Sequence, residues 1–107
     1  MPNGMRPVHP GEILKEDFLE PLSMRVNELA RLMRVSAAHM NEIVLQRRGI
    51  TPDTALRLAM FFGGDPQSWL NLQQSYDLKV AEDRALDRIA HEVTPLAMLR
   101  GGSNRRA

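Results

Sequence analysis

Histidines and neighbouring carboxylates are the residues of this chain whose types could carry acid–base or metal chemistry. They are His9, His39, His91, Glu16 with Asp17, and Glu82 with Asp83. The histidines are far apart in sequence, and none is followed four residues later by another ligand, as two ligands on one helix face would be. Adjacent carboxylates on a helix point to different faces. We therefore predict no metal site, no cofactor and no enzymatic activity.

The composition sets further limits. The chain has no cysteine, which excludes disulfides, thiolate catalysis and Cys-ligated zinc or iron–sulfur sites. Its 107 residues are 43% hydrophobic and 25% charged, as expected for one modest globular domain. The net charge of +1 neither requires nor excludes a nucleic-acid partner, because the local placement of charge matters more. No apolar run suits a membrane span or a signal peptide, so we expect a cytoplasmic protein without a membrane partner.

Apolar residues recur at helical spacing in five or six segments, and no segment alternates as a strand does. The first helix begins at His9, with Pro10 in its first turn, and we expect Pro21 to end it. Residues 51–53 supply an N-cap hydroxyl, an N1 proline and an early acid, and residues 63–64 are two glycines that end that helix. The pattern predicts an all-α fold.

The last helical segments follow the start signal Asp65 and Pro66. A first stripe contains Trp69, Leu72, Gln73 and Tyr76. Its aromatic residues favour a core position against the preceding helix, and a share in a subunit contact remains open for Trp69. One more helical stretch before Pro95 is predicted by the stripe Leu86, Ile89, Ala90 and Val93.

The second and third helices are short and closely connected. One covers residues 25–33, and the other starts at the N-cap Ser36. Ala30 is a small residue at the place where the two helices must approach closely. Val35 is an apolar residue in the turn, and its side chain can fill the space between them. Two such helices form a helix-turn-helix, whose second helix enters the major groove of DNA. The inward residues are Val26, Leu29, Ala30, Met33, Met40, Ile43 and Val44.

Arg47 and Arg48 directly follow the second of these helices. An arginine pair can be an ordinary solvated loop. Beside a helix that could lie in the major groove, however, phosphate contact is favoured.

Four segments, in this order and spacing, resemble the HigA-type antitoxins, a branch of the lambda-repressor-like proteins: HPGEIL, NELARLMRVSAAHMNEI, RRGITPDTALRLA and SWLNLQQSYDL. The resemblance covers residues 9–78. It implies a helix-turn-helix DNA-binding domain of about five helices over that range. A flexible segment would precede it over residues 1–8, and a C-terminal helical extension over residues 79–94 and a mobile tail over residues 95–107 would follow.

The resemblance also implies a function. HigA-type antitoxins are bacterial cytoplasmic homodimers that bind palindromic operator DNA, repress their own promoter and neutralise an mRNA-cleaving toxin of the HigB type. Within this chain, residues 65–93 would be shared between the core and the dimer contact. We expect the same partners here, namely double-stranded operator DNA, a second copy of the chain and a toxin.

Carried over by position, the recognition helix starts at Ser36. The base-facing positions are then Ala37, Ala38, Asn41 and Glu42, and Ser36, His39, Arg47 and Arg48 lie near phosphates. Alanine can contact a thymine methyl group, asparagine can pair with adenine, and glutamate can accept from cytosine N4. The arginines supply the salt-dependent affinity for the DNA backbone.

The sequence departs from the family pattern at several positions. Relatives usually carry Asn, Arg or Gln where Ala37 and Ala38 stand, so DNA shape would contribute more to specificity. Arg34 replaces a glycine, and Leu45 with Gln46 replaces an Asn-Gly helix end. Both places often need a left-handed backbone, which costs a non-glycine residue about 1 kcal/mol or more.

Two other functions remain open. A stand-alone repressor would share the DNA interface and lack a toxin. A protein-interaction adaptor would keep the helical scaffold without affinity for DNA, which Ala37 and Ala38 make conceivable.

Overall fold

The first helix, α1, is capped by a histidine. In the computed structural model, which describes residues 6–101, His9 Nδ1 accepts a hydrogen bond of 2.8 Å from the Gly11 amide. The helix runs as an α-helix over Pro10–Ile13, as a π-helix over Leu14–Leu19 and again as an α-helix over Glu20–Leu22. It passes Pro21, so the predicted stop there is two residues too early. The turns before Pro21 are π-helical, with the Glu20 amide bonded to the Lys15 carbonyl five residues back, so the α-helical ladder that a proline would interrupt is absent there.

Helices α2 and α3 span Val26–Met33 and Ala37–Val44. Helices α1, α2 and α3 all end in the same backbone conformation. Ser23, Arg34 and Gln46 adopt φ values of 53°, 61° and 65°, and each forms a Schellman cap with the following residue. The left-handed backbone that such helix ends often need is therefore present at Arg34 and Gln46, without glycine at either place.

Helix α4 spans Pro52–Phe62, and its N-cap Thr51 accepts a hydrogen bond from the Thr54 amide. Helix α5 spans Pro66–Glu92 and α6 spans Leu96–Leu99. The two helical stretches expected after Pro66 are thus one 27-residue helix. No proline or glycine interrupts residues 67–92, so nothing local stops the helix at residue 78. The division of the chain into residues 9–78 and 79–94 stays a prediction.

The core lies where α1 to α4 meet the first turns of α5. Trp69 is buried, as favoured above, and its ring centroid is 5.3 Å from that of Phe18. The aliphatic core residues come from every helix up to α4, as the apolar spacing predicts. The buried apolar residues are Leu14, Leu19, Leu29, Ala30, Met33, Met40, Ile43, Ile50, Ala55, Leu58, Ala59 and Trp69.

Gly11 brings α1 against α3. A Cβ atom built on it would lie 1.9 Å from the carbonyl oxygen of Ile43, far inside contact distance. Only glycine therefore permits this approach. The contact fixes the C-terminal end of α3 against the rest of the fold.

Past the core, α5 continues as an exposed rod. Its side chains beyond residue 85 are exposed, and the molecule measures 60 × 24 × 22 Å. Within residues 6–101 all regular structure is helical, which confirms the all-α prediction. None of the helices in that range combines the length and hydropathy needed to cross a bilayer. Residues 1–5 and 102–107, which include most of the predicted flexible segment and part of the predicted tail, lie outside the described residues.

Candidate nucleic-acid interface

Helices α2 and α3 form the two-helix unit that the sequence predicts. Residues 34–36 connect them, with Val35 half-buried in the turn and Ala30 buried beneath it. Ser36 caps α3, because its Oγ accepts a hydrogen bond of 3.0 Å from the His39 amide. Met40 and Ile43 anchor α3 in the core. The pair is therefore rigid at the turn and packed on one side.

The opposite side of α3 faces solvent. Ala37 and Ala38 are exposed at its first turn, and Leu45 at its C-cap keeps 56% of its surface. Asn41 and Glu42 lie on the same face and are half-buried. No described residue covers α3 there, so the helix can be approached by a large partner. We call this surface, residues 37, 38, 41, 42 and 45, the exposed face of α3.

Asn41 is already hydrogen-bonded within the protein. Its amide nitrogen donates to Asn27 Oδ1 at 3.0 Å and to the Ala37 carbonyl at 2.8 Å. Both amide hydrogens are therefore used, and Oδ1 remains to accept. Bidentate pairing with adenine, which needs one donor and one acceptor, would require Asn41 to release one of these bonds.

Glu42 and Arg48 form an ion pair across the end of α3. Arg48 Nε donates to Glu42 Oε1 at 2.8 Å, and Arg48 Nη1 lies 3.3 Å from His39 Nδ1. His39 Nε2 in turn lies 3.4 Å from Thr54 Oγ1 on α4. Arg48 is thus held in place with part of its charge offset. Arg47 is exposed and belongs to no ion pair among residues 6–101.

The loop after α3 is held from below by the first turns of α5. The Ile50 amide donates to Gln73 Oε1 at 2.8 Å, and the Gln73 side chain also fills the space that a Cβ at Gly49 would need. Ile50 itself is buried. These contacts fix the path of the chain on which Arg47 and Arg48 stand.

His9 has a structural role at the same loop. It is buried, and its ring packs edge-on against Tyr76 with the centroids 4.8 Å apart. Burial lowers its pKa, opposed by the charge of Asp77 and a hydrogen bond to the backbone of Arg48. His9 therefore joins α1, α5 and the loop after α3 as a neutral ring.

The other two histidines differ in exposure. His39 is half-buried in the network described above, and His91 is exposed, as predicted for it, with Nδ1 2.7 Å from the Asp87 carbonyl. No group of three potential metal ligands occurs in the described part of the chain.

Sequence reasoning missed three residues of this surface, Arg25, Asn27 and Leu45. Arg25 is the exposed N-cap of α2, and its guanidinium has no acceptor with which to cap the first amides of the helix. The first amides of α2 are therefore open beside a cation, the arrangement that suits a phosphate. The sequence signal for this was the absence of the usual N-cap residues Ser, Thr, Asp and Asn at position 25, which leaves the first amides of α2 without a side-chain acceptor. Leu45 could have been found from its spacing, seven residues after Ala38.

Comparison with known proteins adds an independent line of evidence. No family model matches the chain. Virulence-associated protein I of Dichelobacter nodosus is 56% identical over 80 residues, which are 75% of this chain and 74% of that protein. Antitoxin HigA-1 of Vibrio cholerae is 40% identical over 75 residues, which are 68% of this chain and 69% of that protein.

Solved structures agree with these relatives. The structure described as Pseudomonas aeruginosa antitoxin HigA with the higBA promoter matches with a TM-score of 0.83 at 44% identity. It covers 85% of this chain and 99% of that chain. The two-helix unit, its solvent-facing helix and these likenesses together give one conclusion: the chain belongs to the HigA family of antitoxins.

Proposed function

We propose that the protein is a dimeric antitoxin that binds operator DNA through α3, represses its own promoter and neutralises an mRNA-cleaving toxin of the HigB type. The observation that carries the proposal is the exposed face of α3, which stands beside Arg47 and Arg48 and is covered by no described residue. It is supported by the similar HigA structure, which contains promoter DNA.

In this proposal some residues at and beside the exposed face of α3 contact base edges, and others contact phosphates. Ala37, Ala38, Asn41 and Glu42 face base edges. Ser36 at the helix start, His39 beside Arg48, and the arginines themselves lie near phosphates. Because Glu42 offsets part of the Arg48 charge, we expect Arg47 to contribute more than Arg48 to salt-dependent binding.

Dimerisation is assigned to the outer half of α5, by which we mean residues 80–92 together with the C-cap Val93. Leu86, Ile89 and Val93 recur at spacings of three and four residues and are 41%, 43% and 59% exposed. A second copy of the same stripe would cover them with a two-fold interface. Such a dimer suits a palindromic operator whose half-sites are about 34 Å apart. We do not assign the toxin to a particular surface.

A mobility-shift assay on the DNA directly upstream of this reading frame tests the proposal. Replacing Arg47 and Arg48 by alanine should weaken binding and flatten its salt dependence, by about 0.9 in the log–log slope for each phosphate that the protein no longer neutralises. Replacing Arg84 and Arg100, which are exposed elsewhere, removes the same charge and should change binding much less. Equal affinity of the two double variants would contradict the proposed interface.

The adaptor function is the second candidate, favoured by the small side chains at Ala37 and Ala38 and by the Glu42–Arg48 pair. It predicts no measurable affinity for DNA even at low salt, where an electrostatic complex is strongest. Co-expression with the neighbouring small reading frame separates an antitoxin from a stand-alone repressor. Relief of growth arrest supports the antitoxin, and persistent arrest rejects it.

A further inference from the structure

The centre of the exposed face of α3 is aliphatic. Ala38 and Leu45 are seven residues apart, about two helical turns, so they lie on the same side of the helix. Both are exposed, and Leu45 keeps 56% of its surface at the C-cap, where its amide still donates to the Asn41 carbonyl four residues back at 2.9 Å. We call these two residues the aliphatic strip.

The polar groups beside the strip are already bonded within the protein. Asn41 donates to Asn27 and to the Ala37 carbonyl, and Glu42 accepts from Arg48. Bidentate pairing of Asn41 with adenine would therefore require one of its two hydrogen bonds to be exchanged. The aliphatic strip, by contrast, can contact a partner without giving up any bond, and covering Leu45 removes apolar surface from water.

The major groove offers one aliphatic group, the C5-methyl of thymine. We infer that Leu45, together with Ala38, contacts thymine methyl groups and that Leu45 is a specificity-determining residue of operator recognition. This inference rests on the proposed function, because it concerns the same face of α3. It names the feature of the DNA that the face selects, an operator with thymine at the positions under the strip.

The test uses two preparations of the upstream DNA, amplified with either dTTP or dUTP, so that the sequence is the same and only the methyl groups differ. Removing one buried methyl group should weaken binding about fourfold, and a dimer that buries one in each half-site should bind about 16-fold more weakly. Leu45→Ala should bind the thymine DNA more weakly and should bring the uracil-to-thymine ratio of Kd values close to one.

A matched variant controls for changes in DNA shape on uracil substitution. Leu99→Ala removes the same atoms from a leucine that is 72% exposed on α6, and it should keep the wild-type ratio. Equal binding of thymine and uracil DNA by the wild-type chain would overturn the inference, as would an unchanged ratio in Leu45→Ala, and both leave the proposed function standing. Failure of the wild-type chain to bind either DNA at low salt would overturn both.

Discussion

The helical body, which is α1 to α4 with the first turns of α5, and the outer half of α5 differ in the burial of their apolar side chains. In the body, each of the helices α1 to α4 buries a stripe in a common core. In the outer half and in α6, every large apolar residue from Leu86 to Leu99 is exposed. An isolated helix of about a dozen residues is marginal in water, so packing must supply its stability. The body is therefore stabilised by its own core, whereas the outer half of α5 buries no large apolar side chain within the described residues, and in the proposed dimer a second copy covers it.

Gly11→Val should have the largest effect on the body. The new side chain would meet the Ile43 carbonyl at once, and α1 would have to move away from α3. We expect a loss of about 3 kcal/mol or more in the free energy of unfolding, measured by urea denaturation.

The comparison change in the outer half is Ala90→Val, which introduces the same side chain by adding two methyl groups at an exposed position. It should cost less than about 1 kcal/mol. Comparable losses for the two variants would contradict the close approach at Gly11.

Ile89→Asp should break the proposed dimer and leave the body folded. Placing a carboxylate in the apolar stripe should weaken association by about 2 kcal/mol or more, which is roughly 30-fold. Light scattering should show a shift from dimer to monomer at concentrations where the wild-type chain is dimeric. A variant that remains fully dimeric would exclude the outer half of α5 as the contact and would direct attention to α4, where Leu56 and Met60 are exposed.

Arg34→Gly should stabilise the body. Arg34 adopts φ 61° at the end of α2, where glycine carries no Cβ penalty. We expect a gain of about 1 kcal/mol in the free energy of unfolding. Arg34→Ala removes the same charge and keeps the Cβ, so it should show no such gain. Equal stabilisation by Gly and Ala would mean that charge, not backbone strain, is the cause.

The smallest expected effect is the pH dependence due to His9. Its pKa in the folded state lies below the ordinary value of 6.5 because the ring is buried. The unfolded chain therefore binds the proton more readily, and this contribution to stability is present above pH 6.5 and is lost as the pH falls through and below that value. Protonation at Nδ1 would also remove the acceptor of the Gly11 amide.

His9→Asn tests this linkage, because asparagine is also a good N-cap and does not titrate. The variant should lose less stability than the wild-type chain when the pH is lowered from about 7.5 to about 5.5. The other histidines are present in both proteins, so the comparison isolates His9. Identical losses would show that His9 does not cause the pH dependence.

The sequence predicted well those features that depend on short stretches of chain. The caps at Ser36 and Thr51 are confirmed, since each is set by a few consecutive residues. The continuity of α5 was not predicted, because two stripes on different faces of one helix look like two helices in sequence.

The contacts within the candidate interface could not be predicted from the sequence. Asn41 bonds to Asn27 on another helix, fourteen residues away. His9 is buried by Tyr76, which is distant in the chain. Such pairs depend on how the helices pack, and local spacing does not encode that packing. The same limit applies to the ion pair of Glu42 with Arg48, which changes the expected role of both side chains.

The central claim, that the exposed face of α3 binds DNA, is tested most directly by Ala38→Glu. A carboxylate in the first turn of a helix is compatible with folding, but at this position it would face the DNA. Fluorescence anisotropy at low salt, on a labelled duplex of the upstream DNA, should show binding by the wild-type chain and by Ala81→Glu, an exposed position on α5. It should show a loss of about 100-fold or more for Ala38→Glu. Equal affinities of all three proteins would contradict the account.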